Sequence, residues 1–225
     1  MGGKLALILM AAGAGRRFNG DKLAAPFRRR PLWQQALETA RLAAEGKNAL
    51  LIPVTRIPGL LNSPGVIPME NFSPALGVSH TVRLGLKKAA ELGAEGAVFL
   101  VCDQPLLRPA TLTRLMESHR PGMISCVRSG GVPGNPVLFD RAFFPELLAL
   151  SGDRGGKAVM GRHPDRVLWV EAEAAEELGI STGQRICGSW KVLRRKKRRA
   201  KTDDYMATPF AVSDFEQMIL DNLNH

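Results

Sequence analysis

Leu5-Ala-Leu-Ile-Leu-Met-Ala11 is an unbroken apolar run that leads directly into Ala12-Gly-Ala-Gly-Arg-Arg-Phe-Asn-Gly20. A strand with one wet face alternates apolar and polar residues, whereas a continuous apolar strand has to be covered on both faces. A buried parallel strand opening into a glycine loop is therefore the expectation. Further apolar runs follow at Ala49–Val54 and Ala97–Cys102, with helical spacing over Pro31–Ala44, Ser79–Leu92 and Pro109–His119. The stretch from Pro58 to Pro74 is rich in Pro, Gly and Asn and reads as a loop around a short strand at Val66–Met69. Later come a strand at Met123–Val127, a turn-rich segment Gly130–Pro136, and a short strand at Val137–Phe139. Helical patterns at Arg141–Leu150 and Gly155–Gly161 precede a last strand at Val167–Val170. Strands alternating with helices over residues 4–170 predict a three-layer α/β/α sandwich. In such folds ligands sit beyond the carboxyl ends of the strands, which selects the loops after Ala11, after Val54 and Met69, and after Cys102.

The composition agrees. A chain of 225 residues, 45% hydrophobic, accommodates one large α/β domain with a short appendage. The expected division is a folded domain over 1–184 and an appendage over 185–225. Of the formal charge of +10, eight basic residues lie in the run Lys191–Lys201, so the remainder is near neutral. That run reads as a solvated linker. An acidic amphipathic helix is expected after it, opened by the capping box Ser213-Asp-Phe-Glu216, with Phe215, Met218, Ile219 and Leu223 on one face. Nucleic-acid binding is not expected, because the basic run lies outside the globular region and lacks interleaved aromatics. Cys102, Cys126 and Cys187 are too dispersed for a zinc site or a disulfide framework. The N-terminal apolar run is too short for a signal segment, and no run approaches the length of a transmembrane segment. A cytoplasmic protein is the expectation.

Five motifs carry chemistry. The first is the glycine loop with Arg16, Arg17 and Lys22, three cations suited to a triphosphate. It is not a dinucleotide fingerprint, since Phe18 stands where a third glycine belongs. It is not a P-loop either, since Asp21 and Lys22 stand where Lys and Ser/Thr belong. The second is Cys102-Asp-Gln-Pro105. Asp103 follows an apolar strand at once, where a carboxylate would hold a hard cation against phosphates; the plainer alternative is a turn cap. The third, Asn71-Phe-Ser-Pro-Ala-Leu-Gly77-Val-Ser79, puts Gly77 and Ser79 at a helix start, where Ser79 or Thr81 is a candidate cap or a contact for base or phosphate. His80 reads as a packing or surface residue. The fourth is Gly134-Asn-Pro-Val-Leu-Phe139. The fifth, Ser151-Gly-Asp-Arg-Gly-Gly-Lys157, gathers an acid, two bases and three glycines, suited to an anionic acceptor or a second metal.

In order and spacing these motifs resemble those of the MobA-like nucleotidyltransferases, and within them the molybdenum cofactor cytidylyltransferases. The family's Leu-Ala-Ala-Gly-x-Ser-x-Arg-x-Gly-x-x-Lys stands here as Met10–Lys22, its Gly-x-Ser-x-Ser-Leu-x-x-Gly as Gly77–Gly85, and its Asp-Gln-Pro as Asp103–Pro105. Gly134–Phe139 and Gly152–Gly156 match two further motifs. The resemblance implies a Rossmann-like, mostly parallel sheet of the nucleotide-diphospho-sugar transferase type. It departs in having glycine where the first motif carries serine. It departs again at Gly179-Ile-Ser-Thr-Gly-Gln184, which lacks the family's carboxylates.

What the resemblance implies about function is specific. It implies a Mg²⁺-dependent transfer of CMP from CTP to the terminal phosphate of molybdenum-bearing molybdopterin, releasing pyrophosphate and serving a molybdenum hydroxylase client. Ala11, Ala12, Gly13, Gly15, Arg16, Lys22, Gly77, Ser79 and Asp103 would line the nucleotide. Arg16, Lys22 and Asp103 would be catalytic, with Asp103 as the metal ligand. Asn135, Asp153 and Lys157 would hold the acceptor. A guanylyl- or sugar-type transferase and a non-catalytic cofactor-delivery protein are the alternatives.

Overall fold

The structure is a computed structural model that describes residues 3–12, 22–24, 26–27 and 30–179. The appendage over 185–225, with its basic run and amphipathic helix, lies outside the described residues. The elements are β1 (Leu5–Ala11), β2 (Pro26–Phe27), β3 (Arg30–Pro31), α1 (Leu32–Ala44), β4 (Ala49–Thr55), α2 (Pro58–Leu61), β5 (Met69–Glu70) and α3 (Val78–Glu91). They continue with β6 (Gly96–Val101), α4 (Pro109–Glu117), β7 (Ile124–Ser129), β8 (Val132–Asp140), α5 (Phe144–Leu148), α6 (Gly156–Met160) and β9 (Val167–Glu171). β2 and β3 form a separate antiparallel pair. The other strands make one seven-stranded sheet in the order β5-β4-β1-β6-β8-β7-β9. β8 is antiparallel to both of its neighbours, and all other pairings are parallel.

The two faces of β1 carry two cores. Leu5, Leu7 and Leu9 point into the cluster that takes Ala36, Leu37 and Ala40 of α1 and Leu112, Leu115 and Met116 of α4. Ala6 and Ile8 point the other way, to Val82, Leu86 and Ala89 of α3, to Leu147 of α5 and to Val159 of α6. This is the three-layer α/β/α sandwich, and it explains the missing alternation: every residue of β1 has a helix to face. A fully buried Leu or Val contributes about 1.5–3 kcal/mol, so helix docking dominates the stability of these short elements. Close approach is enforced at Gly85, where a β-carbon would lie 2.5 Å from Ile8 Cγ2 and 3.0 Å from Val54 Cγ2. No described helix is long and apolar enough to cross a membrane.

The structure corrects several boundaries. The strand expected at Val66–Met69 is the two-residue β5, Met69–Glu70; Ile67 only donates its N–H to Leu51 O. The turn expected at Gly130–Pro136 narrows to Gly130 and Gly131, and β8 takes the rest. Its proline-rich first half pairs with β7 alone, through Arg128↔Pro133 and Ser129↔Val132. Pairing with β6 begins only at Val137, beyond the last residue lacking an N–H. The helix expected over Arg141–Leu150 is a 3₁₀ turn, Arg141–Phe143, followed by α5.

Candidate functional site

β1 lies between β4 and β6, with Met10 opposite both Val54 and Val101, and Thr55 opposite Glu70 of β5. The loops after Ala11, Thr55, Glu70 and Val101 therefore leave the sheet side by side at one edge. Ala11 is buried and Ala12 half-buried. Gly13, Gly15 and Arg16 lie outside the described residues, and Lys22 opens a 3₁₀ turn, Lys22–Ala24. Asp103 is exposed on this edge, directly after the buried Cys102.

A buried polar relay ties the edge together. Thr55 Oγ1 donates to Ala11 O at 3.0 Å and accepts from the N–H of Ile57 at 3.0 Å. The N–H of Asn71 donates to Thr55 O, and its Nδ2 donates to Thr81 Oγ1 at 3.1 Å. Asn71 Oδ1 accepts the N–H of Ser73 at 3.0 Å. Thr55, Asn71 and Thr81 are all buried. Three polar side chains in the interior are tolerated because each finds partners. They lock the ends of β1, β4 and β5 to the first turn of α3. The sequence reading missed Thr55 and gave Asn71 no role; a polar residue closing an apolar strand was the available signal.

The start of α3 differs from the expectation. Neither Ser79 nor Thr81 caps it: Gly77 is the N-cap residue, at φ +88°, with no side-chain cap. Ser79 is buried within the helix. Its N–H donates to Gly152 O at 3.1 Å, and its hydroxyl accepts from Arg83 Nη1 at 3.3 Å. Arg83 also donates to Leu150 O. A β-carbon on Gly77 would lie 2.7 Å from Asp153 Oδ1, so the Ser151–Lys157 loop sits directly on the helix start. Two motifs far apart in the chain thus form one unit, with Asp153 and Lys157 exposed on it.

The Asp-Gln-Pro motif meets the fourth motif as well. Gln104 Nε2 donates to the carbonyl of the exposed Asn135 at 3.3 Å, beside the cis Asn135–Pro136 bond. Gln104 Oε1 is buried and has no hydrogen-bond partner among the described residues. A clamp that the sequence reading overlooked lies at the far end of this loop. The buried Glu177 side chain accepts the N–H groups of Arg108 at 3.1 Å, Glu173 at 2.9 Å and Ala174 at 3.1 Å. A Glu on a short turn that ends in the left-handed Gly179 was its only local sign. On the α1 side of this loop a groove of about 450 Å³, lined by Glu38, Leu42, Leu106 and Glu176, contains none of the candidate residues.

The chemistry available follows from the donor set. Burial, and then the charge of Asp103, push the Cys102 thiol far up, so it stays protonated and is no nucleophile. Among the described residues no group of three or more His, Cys, Asp or Glu forms a metal-binding cluster. One exposed carboxylate suits a hard cation that arrives with a triphosphate and keeps phosphate and water oxygens as its other ligands. The residues present fit such an ion better than a resident, protein-enclosed one.

Known proteins share this architecture. Residues 7–167 match the family model described as the MobA-like NTP transferase domain. "Nicotine blue oxidoreductase" of Paenarthrobacter nicotinovorans is 29% identical over 70% of this chain and 81% of its own length. "Purine catabolism protein PucB" of Bacillus subtilis is 28% identical over 68% and 78%. The crystal structure of Rv0371c from Mycobacterium tuberculosis, 27% identical, superposes with a TM-score of 0.65 over 76% of this chain and 90% of that one. The same protein has been solved in complex with manganese, with a TM-score of 0.59 over 76% and 89%.

Proposed function

The chain belongs to the MobA-like NTP transferase family, and on that premise we propose that it transfers CMP from CTP to the terminal phosphate of molybdenum-bearing molybdopterin, with release of pyrophosphate. The observation that carries this reading is the register of β1 against β6. Met10 opposite Val101 brings the start of the cationic glycine loop and the Asp103 carboxylate to one edge. The nucleotide phosphates lie over Ala11, Ala12, Gly13 and Gly15, with Gly77 at the start of α3 on the facing side; Ser79, fully buried and bonded to Gly152 and Arg83, supports that helix start from within rather than touching the nucleotide. Arg16 and Lys22 neutralise charge on the α-phosphate and the departing pyrophosphate. Asp103 would hold a divalent cation, Mg²⁺ in this reading, which supplies further neutralisation of the phosphates. Asn135, Asp153 and Lys157 hold the acceptor. An acceptor phosphate oxygen attacks the α-phosphorus, the bond to the β-phosphate oxygen breaks, and the electron pair leaves with pyrophosphate. A phosphate is already anionic near neutral pH, so no strong general base is required. That is consistent with a protonated Cys102 at this edge.

Service to a molybdenum hydroxylase follows from the same reading, and a relative named for purine catabolism is in keeping with it. A second reading rests on the relative named as an oxidoreductase: a redox enzyme that binds a nicotinamide dinucleotide. Phe18, where the dinucleotide fingerprint needs glycine, weighs against it.

The test is the shift in thermal midpoint with CTP, GTP, ATP and NAD, each with and without Mg²⁺. A ligand at 100 times its dissociation constant adds about 2.7 kcal/mol. A Mg²⁺-dependent shift with CTP alone, abolished in Asp103→Ala, is the expected result. Preference for GTP or ATP would replace the substrate within the family, and a shift with NAD alone would favour the redox reading. No shift with any nucleotide would leave a non-catalytic carrier.

A further inference from the structure

The groove beside the loop that begins at Asp103 has three walls. α1 supplies Glu38 and Leu42, the loop supplies Leu106 and Arg108, and the 3₁₀ turn Ala175–Leu178 supplies Glu176 and Glu177. Leu42 is a large apolar side chain exposed by 50%, and Leu106 is half-buried. The carboxylates in and around the groove fall into two sets. Glu173 is paired with Arg108 and Arg114, Glu171 with Arg128 and Glu117 with Lys47, while Glu177 is spent on three N–H groups. Glu38 and Glu176 make no ion pair among the described residues. Two free carboxylates beside exposed leucine call for an occupant that is cationic and partly apolar.

This chain carries such a segment. Lys191-Val-Leu-Arg-Arg-Lys-Lys-Arg-Arg-Ala-Lys201 holds eight cations and no acid, and Val192 and Leu193 stand between its first two cations. Glu176 is three positions before Gly179, and Lys191 is twelve positions after it. A twelve-residue connection spans about 40 Å at full extension and about 20 Å as a random coil, so the run reaches the groove. On a tether of that length it meets the groove at an effective concentration on the order of millimolar.

We infer that the basic run Lys191–Lys201 docks in this groove of its own chain, with its cations on Glu38 and Glu176 and its apolar parts on Leu42 and Leu106. The apolar parts are Val192, Leu193 and the aliphatic stems of the Lys and Arg side chains. A single half-exposed ion pair is weak and screened by salt, so the contact depends on several charges acting together and on the tether. The assignment goes beyond the transfer reaction and does not depend on it. It turns a run expected to be a solvated linker into a strap beside the loop that begins at Asp103.

The test uses the full chain at low salt. A carbodiimide joins a lysine amine to a carboxylate that already touches it. Peptide mapping should find amide links from Lys191, Lys196 or Lys197 to Glu38 and Glu176, in the monomer and unchanged by dilution. About 1 M salt, which shortens the Debye length to about 3 Å, should abolish them. Trypsin gives a second reading. Glu38→Gln combined with Glu176→Gln should speed cleavage within Arg194–Lys201 about fivefold or more, because cleavage follows the undocked population. Glu91→Gln combined with Asp165→Asn makes the same change in charge away from the groove and should not speed it. Links scattered over surface carboxylates, without preference for Glu38 and Glu176, overturn the inference. Links that vanish on dilution give the groove to the run of a second copy and overturn it too. Unchanged cleavage in the Glu38 and Glu176 variant overturns it, as does equal acceleration in the control. Protection of the run that appears only with added duplex DNA gives the run to a nucleic acid and also overturns it.

Discussion

Gly77 faces the carbonyl of Gly152 so closely that a β-carbon would lie 2.5 Å from its oxygen. The contact is backbone on both sides, so no flexible side chain can yield. Gly77 also has φ +88° and ψ −178°, a region open essentially to glycine alone. Gly77→Ala should cost about 3 kcal/mol in urea denaturation, from backbone strain plus the clash. It should also push the Ser151–Lys157 loop off α3, so binding of a phosphorylated acceptor should fall by more than the stability loss explains.

Removing the Thr55 hydroxyl tests the relay beneath the site. Thr55→Val keeps the shape but strands the carbonyl of Ala11 and the N–H of Ile57. The expected cost is about 1–3 kcal/mol. Nucleotide affinity should weaken as well, because Ala11 leads into the glycine loop. Thr55→Ser restores the hydroxyl and should recover most of both losses. Full stability and nucleotide affinity in the Val variant would remove the hydroxyl from the relay.

Glu177 holds the loop that begins at Asp103. Glu177→Ala leaves three N–H groups without their acceptor and should cost about 2–4 kcal/mol by denaturant titration. Glu177→Gln keeps one acceptor oxygen and should be intermediate. The surface pairs of Arg108 and Arg114 with Glu173 matter far less, and Glu173→Gln should change stability by no more than about 1 kcal/mol.

Acid stability should depend on Asp140. Burial raises its pKa, but the N–H groups of Gly122 and Ala142 and the ring of His119 outweigh it, and the carboxyl is held below the usual range. A depressed carboxyl contributes stability that is present above its unfolded value of about 3.9 and lost as pH falls through the folded value. Between the two values the unfolded chain binds more protons, so stability rises with pH. Asp140→Asn should be less stable at pH 7 yet show a shallower decline below about pH 4 in urea midpoints. An acid decline as steep as that of the wild type would remove Asp140 from the acid limb.

Lys22→Ala tests the cationic loop directly. On the proposed transfer, in which Lys22 neutralises charge on the departing pyrophosphate, the substitution should lower turnover at least tenfold, about 1.4 kcal/mol of transition-state stabilisation. Unchanged single-turnover rates would remove Lys22 from the chemistry.

By itself the sequence determined the main strands and helices and the sandwich, but not the β2–β3 pair or α2. A strand buried on both faces and a helix docked on one each leave a local hydrophobic period, as Leu5–Ala11 and Leu32–Ala44 show. It also marked the motif positions, because Gly77, Asp103, Asn135 and Asp153 stand out by residue type and order. Only the tertiary structure decided which of these meet. Hydrophobic period says that Val132–Asp140 can be a strand, not that it runs antiparallel between β6 and β7. Capping propensity marks Ser79 as a helix start, yet it cannot foresee that Gly152, from the other end of the domain, takes its N–H. The Thr55–Asn71–Thr81 relay and the Glu177 clamp were hidden for the same reason. A hydrogen bond is satisfied by whatever group folding brings within about 3 Å, and that proximity is a property of the packed layers rather than of any local stretch.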